Sequence, residues 1–252
     1  MSKEITLPAV VNSELARPSF VQEHDLRGTE HITKEDLQMP KLGLAQALSP
    51  QVQKTEPQYI TGLQVGDLFN NLTKQIYGEG PLEFTVIRAD PPRFVEFIPR
   101  SEGGGVKDIN VPPNDPRTKF RIDENGKTLP PIATRFYDFV LLLLPSREPI
   151  ALSLKSTGLK VARQINALMK LRNAPSFAGK YVLTTGTSKN AKGVFAVYQV
   201  QNAGWVNEEV FKFSSQLYDA FKDKTLIIDR ETDIHVPDGD GDGDTDFDTT
   251  KM

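Results

Sequence analysis

Pro149–Asn207, PIALSLKSTGLKVARQINALMKLRNAPSFAGKYVLTTGTSKNAKGVFAVYQVQNAGWVN, runs 59 residues without one Asp or Glu, in a chain that holds 33 acidic side chains. At that acidic frequency a fixed window of this length is acid-free on the order of once in a few thousand draws. Lys155, Lys160, Arg163, Lys170, Arg172, Lys180, Lys189 and Lys192 lie inside it. Phosphates attract cations and repel every carboxylate within a Debye length, so the pattern points to a polyanionic ligand. A solvated basic face with its acids placed elsewhere is the plain alternative.

The same stretch carries the elements that set the fold. Gly158 to Arg172 reads as the best helix of the chain. Val161, Ala162, Ile165, Leu168 and Met169 form one apolar face, and Lys160, Arg163 and Lys170 fall on the opposite one. Before the helix, 149–155 reads as a strand pairing with the apolar run 134–144 across Pro145-Ser-Arg-Glu148. After it, 180–187 and 193–201 read as two strands joined by a short basic turn, whose tip carries Lys189 and Lys192 outward.

Working outward toward the N-terminus, 82–88 and 93–100 are β-branched and aromatic, and they flank Asp90-Pro-Pro92, a turn signal. They read as a hairpin. Residues 101–131 are rich in Gly, Pro, Asn and Asp and read as a long loop, with a small hairpin around Glu124-Asn-Gly-Lys127. The segment 59–78 is apolar but broken by glycines, and periodicity does not decide between strand and helix. Residues 1–56 are mixed in charge and spotted with proline, which predicts an extended arm whose short apolar piece, 40–50, docks on the body.

Toward the C-terminus, Asn207 is placed to cap a final helix. Glu208 and Glu209 stand in its first turn, Val210, Phe213, Leu217 and Phe221 are spaced for burial, and the helix is expected to end near Lys224. Residues 229–252 then hold 9 acidic residues against 2 basic ones. Asp238, Asp240, Asp242, Asp244, Asp246 and Asp248 alternate mainly with glycine around Phe247, a composition that predicts a disordered acidic tail. Residues 81–207 carry 18 Lys and Arg against 10 Asp and Glu, so the net charge of −3 hides a basic body and an acidic tail.

These features exclude several function classes. There is no cysteine, hence no disulfide framework or thiolate metal site. No apolar run reaches bilayer length and none has the form of a signal peptide, which predicts a soluble, cytoplasmic protein. Asp238, Asp240, Asp242 and Gly243 fit the start of a calcium loop, but its last position is Thr249 where a bidentate Glu is needed. His24, His31 and His235 lie in the arm and at the tail junction, too scattered for a metal site or triad. The run 186–193 only mimics a phosphate loop, and Ser153 and Lys155 have the spacing of any half-exposed strand. No enzyme activity, cofactor or metal is expected.

For single-stranded nucleic acid the ingredients coincide: cations that track the backbone and aromatic platforms on strands. The candidate contacts are Lys155, Lys160, Arg163, Lys170, Lys180, Lys189 and Lys192 with Tyr181, Phe195, Tyr198 and Trp205, joined by Arg93 and Arg135 from the earlier strands. Strand side chains alternate between faces, so about half of the aromatics belong to the core.

Hairpin, strand pair, helix and two further strands resembles the order of an OB-fold, whose helix stands between the third and fourth strands of a five-stranded barrel. With the C-terminal helix and acidic tail, the region from about residue 82 to the end is similar to phage-type single-stranded DNA-binding proteins. The resemblance implies a mainly β, α+β chain: an arm over 1–56, an OB-like nucleic-acid-binding domain over 57–228, and a tail over 229–252. It further implies sequence-nonspecific binding of single-stranded DNA in replication or recombination in the host cytoplasm. The tail, with Asp238 to Asp248 and Phe247, would compete with DNA and recruit replication or recombination enzymes. The alternative is an interaction or virion-type structural protein whose basic face meets another polyanion. Oligomeric state is open, a homodimer included.

Overall fold

In the computed structural model, Gly28 and residues 38–144, 146–190, 193–222 and 227–228 are described. The compact unit begins at Gln38. Its strands are β1 (Gln38–Met39), β2 (Leu42–Leu44), β3 (Leu68–Asn70), β4 (Ile76–Gly78), β5 (Leu82–Ala89), β6 (Arg93–Phe97), β7 (Val106–Asp108), β8 (Arg121–Ile122), β9 (Thr128–Leu129), β10 (Ala133–Leu143) and β11 (Glu148–Lys155). Helix α1 (Leu159–Leu171) follows, then β12 (Gly179–Asn190), β13 (Gly193–Trp205), α2 (Glu208–Phe221) and β14 (Ile227–Ile228). Among the described residues the protein is mainly β with two α-helices.

The central antiparallel sheet is organised on β10. Along one edge β10 pairs with the whole length of β11, from Phe136↔Lys155 to Leu143↔Glu148. Along the other it pairs first with β6 (Ala133 to Phe136) and then with β5 (Phe139 to Leu143). The expected hairpin of β5 and β6 is therefore corrected: the two are consecutive halves of one bent strand facing β10. The physical reason lies in Pro91 and Pro92. They hold the chain extended and supply no left-handed turn residue, so the strand is interrupted rather than reversed. The Asp90 N–H still donates to the Asp138 carbonyl at 2.9 Å, which carries the ladder across the break.

Beyond β5 the sheet continues through β12, in register Tyr181↔Phe84 and Leu183↔Leu82, to β13. β5 pairs with only the base of the β12–β13 hairpin; farther along, the Thr185 N–H donates to the Glu79 carbonyl at 3.0 Å and Ala196 is buried against the segment that carries Gln46. The sheet ends on β11 at one side and, at the other, on β13 beyond β5 and on β7 beyond β6. Among the described residues no strand ladder joins β11 to β13, so the five-stranded barrel expected from sequence is not closed.

Each face has its own core. On one, Phe84, Val86, Phe139, Leu141, Ile150, Leu152, Tyr181 and Leu183 pack under Val161, Ala162 and Ile165 of α1 and under Leu42 and Leu68. On the other, Ile87, Val140, Leu142 and Ala151 meet Phe177 and Val210, with Phe213 and Leu217 of α2 alongside. Both faces are covered, which is why the centre of β10 is apolar at consecutive positions.

The helix ends follow their sequence signals. Asn173, with φ +49°, takes the left-handed position that stops α1. The Asn207 side chain accepts from the Val210 N–H at 2.8 Å, as its capping position predicts. The Arg88 guanidinium donates to the Phe221 carbonyl at the other end of α2, which ties that helix to β5.

The expected arm needs a second correction. Residues 38–56 belong to the body: Met39, Leu42 and Ala45 are buried, and β2 joins β3 and β4 in a small sheet. The apolar spacing of 40–50 was enough to drive docking, and the docked piece adds strands of its own. The long loop 101–131 is clamped by Arg117, which reaches Glu96 at 2.6 Å, Asp115 at 2.8 Å and Asp108 at 3.2 Å. The hairpin expected near Asn125 is formed by β8 and β9, with Gly126 at φ +77° in its turn. No helix among the described residues is long and apolar enough to cross a membrane.

Candidate nucleic-acid interface

The acid-free stretch folds into β11, α1, β12 and β13. Helix α1 lies along β13, where the Gln164 side-chain amide donates to the Val200 carbonyl at 3.1 Å. Its inward face is the predicted one, and Lys160, Arg163 and Lys170 are exposed on its outer face. Lys189 stands exposed near the tip of the β12–β13 ribbon; Lys192 lies outside the described residues.

At the C-terminal end of α1 the Arg172 guanidinium stacks 4.7 Å from the Trp205 ring centroid and 5.1 Å from that of Tyr181, and it donates to the Asn202 side chain. Trp205 is 60% exposed, while Tyr181 is fully buried. Tyr181 is thereby removed from the contact set and assigned to the core, packed 5.5 Å from Phe84. Burial pushes its hydroxyl above the usual phenol range. Arg172 was not among the candidate contacts. Its signal, a cation in the last helical turn ahead of Asn173, identifies a helix end but not the ring it covers.

At the opposite end of α1, β11 and β13 diverge and leave a cavity of about 450 Å³ between them. Lys155, Phe195 and Tyr198, three of the candidate contacts, line it together with Lys41 and Phe69 from segments read as arm or left undecided. Among the described residues no Asp or Glu lines this cavity. Gly43 is needed at its wall, because a Cβ there would stand 2.5 Å from the Phe69 ring. Lys155 also lies 5.0 Å from the Phe97 ring centroid and 5.6 Å from that of Phe136.

The remaining candidates divide by their partners. Arg93 is committed to the fold, bonded to Asp138 at 2.5 Å and stacked 4.1 Å over Phe136. Lys180 pairs with Glu83 of the neighbouring strand at 3.1 Å. Glu83 comes from outside the acid-free stretch, so local absence of acid does not leave Lys180 unopposed. Arg135 is different. Its guanidinium stands 4.8 Å from the Tyr137 ring and 5.7 Å from Phe94, and its Nε is buried without a hydrogen-bond partner.

The cavity, the outer face of α1 and the Arg172–Trp205 stack thus follow one another along β13. A 13-residue helix is about 20 Å long. Such a strip can hold an extended polyanion with an aromatic contact at each end. Asp238, Asp240, Asp242, Asp244, Asp246, Phe247 and Asp248, and the three histidines, lie outside the described residues. Among the described residues no group of three or more His, Cys, Asp or Glu side chains is placed to hold a metal ion.

The chain belongs to the Pam3 phage gp34-like protein family, whose model matches residues 10–226. No curated protein and no solved structure matches it.

Proposed function

We propose that the protein is a non-enzymatic, sequence-tolerant binder of single-stranded DNA that works in phage replication or recombination in the host cytoplasm; the family match supports only the phage setting. The observation that carries the reading is the strip along α1. Lys155 lies at its start, Lys160, Arg163 and Lys170 along its outer face, and the exposed Trp205 under Arg172 at its end. Cations track phosphates while a ring offers a stacking surface to any base. The pairing order supports an OB-type framework. The bent strand β5–β6 pairs with β10 and β12, β10 with β11 and β12 with β13, with α1 between third and fourth strands. The missing seam, between β11 and β13, is where the cavity lies. In this reading the acidic tail with Phe247 competes with DNA for the strip and recruits replication or recombination enzymes.

A salt titration of binding to single-stranded and duplex oligonucleotides tests the proposal. Affinity is expected to favour single strands and to fall steeply with salt, with a slope set by the phosphates neutralised. A flat salt response overturns it. Equal affinity for duplex favours the second reading, an interaction or virion-type structural protein. One feature supports that reading, the exposure of Phe120 (61%) and Ile122 (76%) at the β8–β9 hairpin.

A further inference from the structure

Arg93, Lys107 and Lys180 of the central sheet each meet a carboxylate, from Asp138, Glu96 and Glu83 in turn. Arg135 of β10 does not. Among the described residues nothing forms an ion pair or a hydrogen bond with its guanidinium. Glu96, which stands opposite Ala133 on the same face of the sheet, has one oxygen engaged by Lys107 at 2.7 Å and the other by Arg117 at 2.6 Å. The Arg135 Nε is buried without a partner, while the terminal nitrogens, equally unpaired, are not buried. A polar group left unmet in a native fold calls for an explanation, and a missing ligand is one.

Two rings hold this guanidinium in place: Tyr137, two residues on, at 4.8 Å, and Phe94, directly opposite on β6, at 5.7 Å. A planar, permanently charged fork fixed in this way and still holding its N–H groups is prepared for a bidentate oxyanion. Alternation along β10 puts Arg135 on the face of Tyr137, Phe139 and Leu141, the face that α1 covers. It stands one residue past the Phe136↔Lys155 pair, where the chain turns through 156–158 into α1. The exposed Lys160 and Lys170 are therefore on the same side of the sheet, and Arg135 lies beyond the N-terminal end of their helix. We propose that Arg135, held by Phe94 and Tyr137, takes a phosphodiester group of a single strand that continues past the N-terminal end of α1. The proposal rests on the single-strand reading above.

Oligonucleotide titrations of the full chain over a salt series test the site. Arg135→Gln should weaken single-strand binding by about tenfold. It should also lower the salt slope by about 0.7, the share of one phosphate on a single strand. Arg135→Lys, which keeps the charge and loses the fork, should retain the parent slope with an intermediate affinity. Parent affinity and slope in a folded Arg135→Gln protein overturn the proposal. So does an Arg135→Lys protein that falls to the level of Arg135→Gln in both, since that outcome gives the side chain a packing role.

A second measurement uses the parent chain and does not depend on how the variants fold. The Arg135 Nε–H resonance, assigned by its absence from the Arg135→Lys spectrum, should shift saturably as a single-stranded oligonucleotide is added. Oligonucleotide binding that leaves this resonance unmoved overturns the Arg135 site while the strip along α1 stands. No oligonucleotide binding at all removes both. A shift produced by a peptide of residues 238–252 and not by the oligonucleotide makes an acidic segment the occupant, and overturns the phosphodiester assignment.

Discussion

The side-chain amide of Gln46 takes both backbone groups of Ala196, its Nε2 donating to the carbonyl at 2.8 Å and its Oε1 accepting from the N–H at 3.0 Å. One side chain thus does for the β13 edge what a neighbouring strand would do. Six residues earlier the Pro40 carbonyl accepts from the Ala151 N–H of β11 at 2.8 Å. The segment 40–46 therefore spans the gap that no strand ladder closes. Gln46→Leu keeps the bulk and leaves the Ala196 groups unmet, at a cost of about 1–3 kcal/mol. Chemical denaturation should show the loss, and hydrogen exchange should localise it to the Ala196 amide.

Trp205 is the only tryptophan in the chain, and it is well exposed. On the single-strand proposal its fluorescence should be quenched as an oligonucleotide binds. Trp205→Ala should weaken binding by about 1–3 kcal/mol with little change in stability, since the ring buries little surface. Unaltered affinity in the variant, read by fluorescence anisotropy of a labelled oligonucleotide, would remove the aromatic platform from the proposal.

Tyr181→Phe provides the opposite control. The hydroxyl is buried without a hydrogen-bond partner, so its removal should leave stability unchanged or raise it slightly. Because the ring belongs to the core, oligonucleotide affinity should not change. Thermal unfolding and the same anisotropy assay check both statements.

The Arg117 clamp makes an acid-dependent contribution to the order of the long loop. Hydrogen bonds from Arg117 hold the Asp115 carboxyl at about 2, below its usual 3.8. Lys107 first, and then Arg117, also lower Glu96. Carboxylates with depressed native values stabilise the fold fully above their ordinary range, and that contribution is lost as pH falls toward about 2. Arg117→Gln should return Asp115 toward its usual value and speed amide exchange over 106–118 at neutral pH. Carboxyl titration by NMR in the parent and variant checks the shift.

Deleting 238–252 is expected to raise affinity for single strands, most at low salt where the tail's attraction for the basic strip is least screened. It should also permit binding to duplex and abolish recruitment of any partner that reads the tail. Equal or weaker affinity for the truncated chain at low salt would mean that the tail does not act as an internal competitor.

Periodicity and charge decide local matters, and these could be read directly from the chain. The α1 register, with Val161 and Ile165 inward and Lys160 and Arg163 outward, depends on a 3.6-residue repeat that any partner surface would respect. The Asn207 cap depends on a side chain and backbone three residues apart. Exclusion of acid from 149–207 is a property of composition alone. What needed the tertiary structure were relations between segments distant in sequence. Whether Pro91 and Pro92 reverse a strand or merely bend it depends on whether β10, some 40 residues on, is long enough to pair with both halves. Arg93 and Lys180 look like free cations until Asp138 and Glu83 arrive from neighbouring strands, and Tyr181 becomes core only when Phe84 lies opposite it. The gap between β11 and β13, its bridging by Gln46 and the cavity beside it all arise from packing, because the bridging segment 40–46 is distant in sequence from both of the edges it joins.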